Sequence, residues 1–201
     1  MVDWDKRYAE APSPLFGGVA NNYVVQTAAR PDFTARSALC LADGDGRNGR
    51  YLAGRGLDVT GVDISRVGTD QAVAHDAAAG LAIERIAADL ADLQPPAGRT
   101  WDAVFLIYLH CERSVRRRAV ELAAAHLAPG GWFVAEGFAA KAGSGPRMGP
   151  GDPALLYDTD EFDDWLTGFE LIEALTGTLR LQEGAKHQGL AQVVRYAARR
   201  A

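Results

Sequence analysis

The chain has 201 residues, 48% of them apolar and 23% charged, with 21 basic and 26 acidic side chains and a formal net charge of −5. That is enough for one α/β domain with a full core, and the negative balance removes any general attraction to nucleic acid or an anionic membrane. No window approaches the ~18 consecutive apolar residues of a membrane span. The N-terminus lacks the apolar core of a signal peptide, and Cys40 and Cys111 form neither a disulfide framework nor a metal pattern. A cytoplasmic location without a metal site is expected.

Residues 3–30 read as two short helices joined through Pro12-Ser13-Pro14 and Gly17-Gly18, with Trp4, Tyr8, Phe16 and Tyr23 free to pack over something. Strands and helices then alternate. Residues 37–42 predict a first strand, with Cys40 as a buried small hydrophobe, and 48–54 the helix after it. Residues 57–62 predict a second strand ending at Asp63, followed by a helix capped by Ser65 and stopped by Gly80. A third strand over 81–87 ends near Asp89, and the apolar run 101–108 reads as a central strand covered on both faces. An alanine-rich helix over 113–127 carries Arg116-Arg117-Arg118 as a solvated face, and 132–138 is a fifth strand. His75 and His126 fall on helix surfaces, and Trp101, Trp132 and Trp165 read as core or edge aromatics.

Five strands interleaved with helices predict a doubly wound parallel sheet with right-handed crossovers. Its ligand is expected outside the carboxyl ends of the strands, where strand order reverses. The tail breaks the alternation. Residues 142–153 hold four glycines and three prolines, which predicts a mobile loop, either a connector or a lid. A helix over 159–167 follows, then strand-like runs over 170–180 and 190–196 that form a hairpin on the sheet edge. The expected organisation is one domain: a helical cover over 1–30, a cofactor-binding core over 37–138, a loop over 139–158, and a helix and hairpin over 159–201.

The turn after the first strand contains Gly-x-Gly-x-x-Gly at Gly44, Gly46 and Gly49. Glycines there let a backbone approach an adenosine-type ligand. Asp63 lies 19 residues beyond Gly44, where a carboxylate can accept both ribose hydroxyls. That spacing fits NAD and S-adenosylmethionine equally. Charge separates them: Asp43 and Asp45 flank the site of a dinucleotide's pyrophosphate, and each like-charge contact at ~4 Å costs on the order of 4 kcal/mol at an effective dielectric of ~20. A sulfonium and an ammonium are favoured instead. Asp89 can accept an adenine amino group with Leu90 packing on the ring. No Gly-Lys-Ser/Thr follows the glycines, so a Walker-type loop is excluded.

These residues resemble the class I S-adenosylmethionine-dependent methyltransferases, and more closely their small bacterial tellurite-resistance/thiopurine-type branch. The likeness runs through Trp4-Asp-Lys-Arg-Tyr8, Phe16-Gly17 with Asn21, Leu39 to Asn48, Val59 to Asp63 with Ser65, and Ala88-Asp-Leu90. It continues in Tyr108-Leu-His110, Leu127 to Gly131, Glu136-Gly-Phe138 and Glu183 to Gly189. The resemblance implies a Rossmann-like, seven-stranded, mostly parallel sheet with an antiparallel last strand, and N-terminal helices that help cover the methyl donor. It implies S-adenosyl-L-methionine as cofactor, held by Ala42, Asp43, Gly44, Gly46, Asn48, Asp63, Ile64, Asp89 and Leu90. Cys40 stands where wider members of the class carry an acid, and Ala42 where they carry glycine. The cofactor's ammonium then falls to Asp43 or to backbone carbonyls. A branch proline before the asparagine is Ala20 here.

Methyl transfer from a sulfonium is an in-line displacement, so alignment in a dry pocket is the main requirement. A base is needed only where the acceptor must lose a proton. Candidate acceptor-pocket residues are His110, His187 and Glu136, with Tyr108 and, from the N-terminal cover, Tyr23. The expected acceptor is a small molecule such as a thiol or chalcogen oxyanion, with no nucleic-acid or membrane partner. A nicotinamide-dependent oxidoreductase and a non-catalytic cofactor sensor are the competing readings.

Overall fold

The computed structural model describes residues 2–11, 14–140, 148–184 and 187–201. Helices α1 (Trp4–Glu10) and α2 (Asn22–Ala28) precede an alternating series: β1 (Ser37–Leu41), α3 (Arg47–Gly54), β2 (Asp58–Asp63), α4 (Arg66–Ala78), β3 (Glu84–Ala87), β4 (Trp101–Ile107), α5 (Arg113–His126) and β5 (Leu127–Phe138). A 3₁₀ turn (Pro153–Leu155), α6 (Thr159–Trp165), β6 (Phe169–Gln182) and β7 (Gln188–Arg200) complete it.

The strands form one seven-stranded sheet in the order β3-β2-β1-β4-β5-β7-β6. β7 alone runs against its neighbours, antiparallel to both β5 and β6. This is the expected Rossmann-like sheet with its antiparallel last strand, and the terminal hairpin puts β6 on the edge. Order reverses between β1 and β4, which pair in parallel from Ala38↔Ala103 to Leu41↔Leu106. The glycine turn after β1 and Tyr108 after β4 therefore flank the crevice where such sheets bind ligands.

The two-residue period of the strands builds a core on each face. Leu39, Leu41, Val104, Leu106, Phe133 and Ala135 point into one layer with Ala119, Val120 and Phe162 from α5 and α6. Ala38, Cys40, Ala103, Phe105 and Val134 point into the other with Val24 from α2 and Leu52 from α3. Ser65 caps α4 by accepting the Gly68 N–H at 3.0 Å.

Four local expectations shift. β3 begins at Glu84 rather than 81. β5 begins at Leu127, because the turn meant to separate helix from strand is drawn into the sheet, Leu127 opposing Trp101 across a bulge. Arg116 is no solvated residue: it is fully buried and donates to the carbonyls of Cys111 and Leu156 and to Glu161, tying α5 to α6. His75 and His126 are half-buried rather than superficial, His126 Nδ1 lying 2.7 Å from the Arg99 carbonyl. Residues 141–147 of the expected loop lie outside the described residues, as do Pro12, Ser13, Ala185 and Lys186.

Candidate functional site

The turn after β1 winds through left-handed backbone at Ala42 (φ 56°), Gly44 (φ 58°) and Gly46 (φ 83°). Gly44 needs both its conformation and its missing side chain, since a Cβ there would collide with the Tyr8 hydroxyl. Tyr8 itself is buried against the turn by α1, which packs on α4 and is pinned by Asp5 accepting from Ser65 Oγ (2.6 Å) and the Val67 N–H (3.0 Å). The aromatic N-terminal segment thus packs over the glycine turn and the end of β2.

Asp63 closes β2 with one oxygen accepting the Gly44 N–H and the other the Ser65 N–H, both at 2.8 Å. No cation pairs with it among the described residues. Burial pushes its carboxyl up to about 6, against the pull of those two N–H groups. A buried carboxylate ringed by backbone donors and lacking a counter-charge has acceptor capacity left for hydroxyl groups, which is how these residues fit a ribose. Ile64 beside it is 44% exposed and lines a shallow cleft of about 170 Å³ with Trp4, Asp5 and Ser65.

The other acids are committed internally. Asp43 is buried, 2.5 Å from Arg85 Nη1, and accepts the Gly49 N–H. Arg85 also pairs with Asp76 at 2.8 Å and occupies the space left by Gly61, where a Cβ would strike its guanidinium. Asp43 therefore braces the glycine turn from beneath, and its charge is answered by Arg85 rather than by a cofactor's ammonium. Asp45 accepts the Leu15 N–H at 3.1 Å. Both carboxyls are raised, foremost by burial. Asn48 accepts the Asn21 N–H at 2.8 Å. Asp89 is half-buried and accepts the Ala91 N–H, while Leu90 points into the main core instead of toward a ring-binding space.

The acceptor-side residues divide as sharply. Tyr108 adopts φ 57° at the end of β4. Its ring lies 4.3 Å from that of His187, 4.9 Å from Phe138 and 5.9 Å from His110, and Phe16 covers His187 at 5.1 Å. Among the described residues, neither Tyr108 Oη nor His187 Nδ1, both buried, has a hydrogen-bond partner within 3.5 Å. Burial, with Glu136 and Glu183 nearby, holds the Tyr108 phenol well above its usual range, so it stays a donor.

His110 touches this group, yet Nδ1 faces the Leu155 carbonyl (2.9 Å) and Nε2 accepts the Phe138 N–H (3.3 Å). Burial lowers it to about 4, so it is neutral with both nitrogens used and is no proton acceptor. Glu136 is fully buried between Arg195 Nε (2.6 Å) and Asn21 Nδ2 (2.6 Å), a structural ion pair and not a pocket acid. Tyr23 packs in the second core layer under the Arg195 guanidinium, a layer against which Tyr108 also packs.

Sequence reasoning did not assign roles to Arg47 or Arg195, and gave Glu183 no part beyond bracing the hairpin with His187. Arg47 and Glu183 pair at 2.9 Å with 6% and 4% of their side chains exposed. Their signal was present in the Gly-Arg-Asn and Glu-Gly runs, but nothing local said that the two runs meet.

Residues 38–131 match the methyltransferase domain family. The match covers 94 of the 201 residues. The cofactor it indicates is S-adenosyl-L-methionine, which sets the nicotinamide alternative aside. No curated protein matches the sequence significantly. Among solved structures, TehB from Haemophilus influenzae superposes with a TM-score of 0.70 at 20% identity, over 89% of this chain and 61% of TehB, so the chain spans about three fifths of that relative's length. A structure described for conversion of a disulfide bond into a thioacetal group during echinomycin biosynthesis gives 0.73 at 18% identity, over 96% and 86% of the two chains. Magnesium protoporphyrin IX methyltransferase from Synechocystis PCC 6803, with bound S-adenosylmethionine, gives 0.62 at 19%, over 89% and 76%. At these identities the likeness is one of fold. Among the described residues no helix is long and apolar enough to cross a membrane, and no group of three or more His, Cys, Asp or Glu could hold a metal ion.

Proposed function

We propose that the protein transfers a methyl group from S-adenosylmethionine to a small-molecule nucleophile, as an enzyme of the tellurite-resistance/thiopurine-type branch. When bound, the cofactor supplies a methyl group already activated on a sulfonium. Asp63 would hold the ribose hydroxyls, the left-handed turn from Ala42 to Gly46 would present backbone carbonyls to the ammonium, and Ile64 would flank the adenosine. The acceptor would sit against Tyr108, Phe138 and His187, at the carboxyl ends of β4 and β5.

The carrying observation is the pair of buried atoms, Tyr108 Oη and His187 Nδ1, that make no close hydrogen bond among the described residues, on aromatic rings 4.3 Å apart. The phenol can donate to an acceptor and orient it, while Phe16, Phe138 and Tyr108 exclude water. With His110 and Glu136 committed elsewhere, His187 is the remaining proton acceptor in the cluster. The charge it would gain is balanced by Glu183, whose Oε2 lies 3.9 Å from Nδ1. One modest base suits a nucleophile that is already at least partly ionised, which supports a thiol or chalcogen oxyanion over an alcohol or amine.

The test is calorimetry with S-adenosylhomocysteine, followed by methyl transfer from labelled S-adenosylmethionine to thiols, tellurite, selenite, phenols and amines. Micromolar binding with turnover of thiols or chalcogen oxyanions is expected. Binding without turnover of any class would favour the sensor reading, and absence of binding would remove the proposal altogether.

A further inference from the structure

Residues of motifs that carry the resemblance lie far apart in the chain: Phe16-Gly17 with Asn21, Arg47-Asn48, Glu136 and Glu183-Gly184. They converge on one buried knot. Its centre is Glu183, whose Oε2 accepts Arg47 Nη2 (2.9 Å) and whose Oε1 accepts Asn21 Nδ2 (2.9 Å) and the Asn22 N–H (3.1 Å). Asn21 also donates to Glu136, and its Oδ1 caps α2 by accepting the Tyr23 and Val24 N–H groups.

The segment 15–21 is a strap between α1 and α2, and three residues of the glycine turn and the first turn of α3 hold it. Asp45 accepts the Leu15 N–H (3.1 Å), Arg47 Nη1 donates to the carbonyls of Phe16 (3.3 Å) and Val19 (3.2 Å), and Asn48 Oδ1 accepts the Asn21 N–H (2.8 Å). The strap's far side meets the β6–β7 turn backbone to backbone, a Cβ on Gly17 falling 2.9 Å from Gly184 Cα. Phe16 on the strap then covers His187. Arg47 is thus the one side chain that grips the strap and the acceptor-side turn while standing in the first turn of the helix that follows the cofactor loop.

We infer that Arg47 is a positioning residue that couples the two halves of the site, so that cofactor seated on the Gly44–Gly46 turn also fixes the strap and the Glu183–His187 turn that close the acceptor pocket. The inference rests on the proposed cofactor site. Its physical basis is the guanidinium fork: Arg47 reaches three acceptors on two segments at once, which a lysine ammonium on a flexible stem cannot reproduce in the same geometry. Buried and fully partnered, the knot favours one closed arrangement over partial ones.

The experiment is backbone hydrogen exchange read by mass spectrometry, with and without saturating S-adenosylhomocysteine, on wild type, Arg47→Lys and Glu183→Gln. In wild type the ligand is expected to slow exchange about tenfold both at the cofactor turn and at the remote segments 15–22 and 187–190. In Arg47→Lys, binding and protection of residues 42–48 and 63–65 should persist while remote protection is lost. Glu183→Gln, changed on the far side of the knot, should show the same split and serves if the arginine variant does not fold. Local protection alone in wild type, or remote protection retained in a folded variant of either kind, overturns the coupling. No binding to wild type at all would instead count against the cofactor site on which the inference rests.

Discussion

Asp63 is an ionisable group whose folded environment works against its charge, and replacing it separates stability from binding. Its carboxyl is raised from 3.8 to about 6, chiefly by burial. The folded state therefore holds that proton more tightly than the unfolded chain does. The associated stability is complete below pH ~4, falls as pH rises toward 6 and is gone above it. A shift of roughly two units corresponds to ~3 kcal/mol at neutral pH. Asp63→Asn removes the charge, but its amide can accept only one of the Gly44 and Ser65 N–H groups that the carboxylate satisfies at 2.8 Å. One unsatisfied buried donor costs about 1–3 kcal/mol. The two effects nearly offset each other, so the cofactor-free variant should be as stable as wild type or up to ~2 kcal/mol more stable at pH 7.5, a rise in Tm of up to several degrees at ~2–4 °C per kcal/mol. Urea denaturation from pH 4.5 to 7.5 checks this: wild type should lose stability relative to the variant between pH ~4.5 and 6, with a constant difference above. Calorimetry should meanwhile show S-adenosylhomocysteine binding weakened at least ~10-fold, from loss of the charged acceptor. A variant that is several kcal/mol less stable at every pH, with no pH-dependent difference, would refute the reasoning.

Arg85→Met should cost about 3–5 kcal/mol in urea unfolding, because Asp43 and Asp76 would remain buried without their shared partner; the double change with Asp43→Asn should recover part of it. Gly44→Ala places a Cβ against the Tyr8 hydroxyl at φ 58°, where a side chain costs roughly 1–2 kcal/mol. The expected outcome is release of α1, read as a change in fluorescence of Trp4, 6.1 Å from Tyr8, with a lower Tm. His110, held neutral at about 4 by burial, should show no imidazole titration by NMR between pH 5.5 and 8; a midpoint near 6.5 would mean that its contacts to Leu155 and Phe138 are not maintained in solution.

The sheet could be read in the sequence because its determinants are local and periodic. The run from Trp101 to Ile107 is apolar at nearly every position because β4 is buried on both faces, and the absence of a helix between the last two strands forces a hairpin. The glycine turn was legible for the same reason: left-handed backbone at Gly44 and Gly46 needs glycine there whatever surrounds it. What could not be read was which partner each polar side chain would find. Asp43 and Asp45 looked alike as turn acids facing a cationic ligand, but one meets Arg85 from β3 and the other a backbone N–H of the strap. The charge argument against a pyrophosphate is correspondingly weaker at Asp43, where the counter-ion is built in. Glu136, His110 and Arg116 misled in the same way, since a polar residue at a strand end or on a helix reads as available until the fold supplies its partner from about 30 to 60 residues away. Burying such groups costs several kcal/mol unless they are paired. A polar residue in an otherwise apolar stretch, such as Glu136 before Phe138, is therefore first a sign that distant partners must come to meet it, and Asn21 and Arg195 do so here.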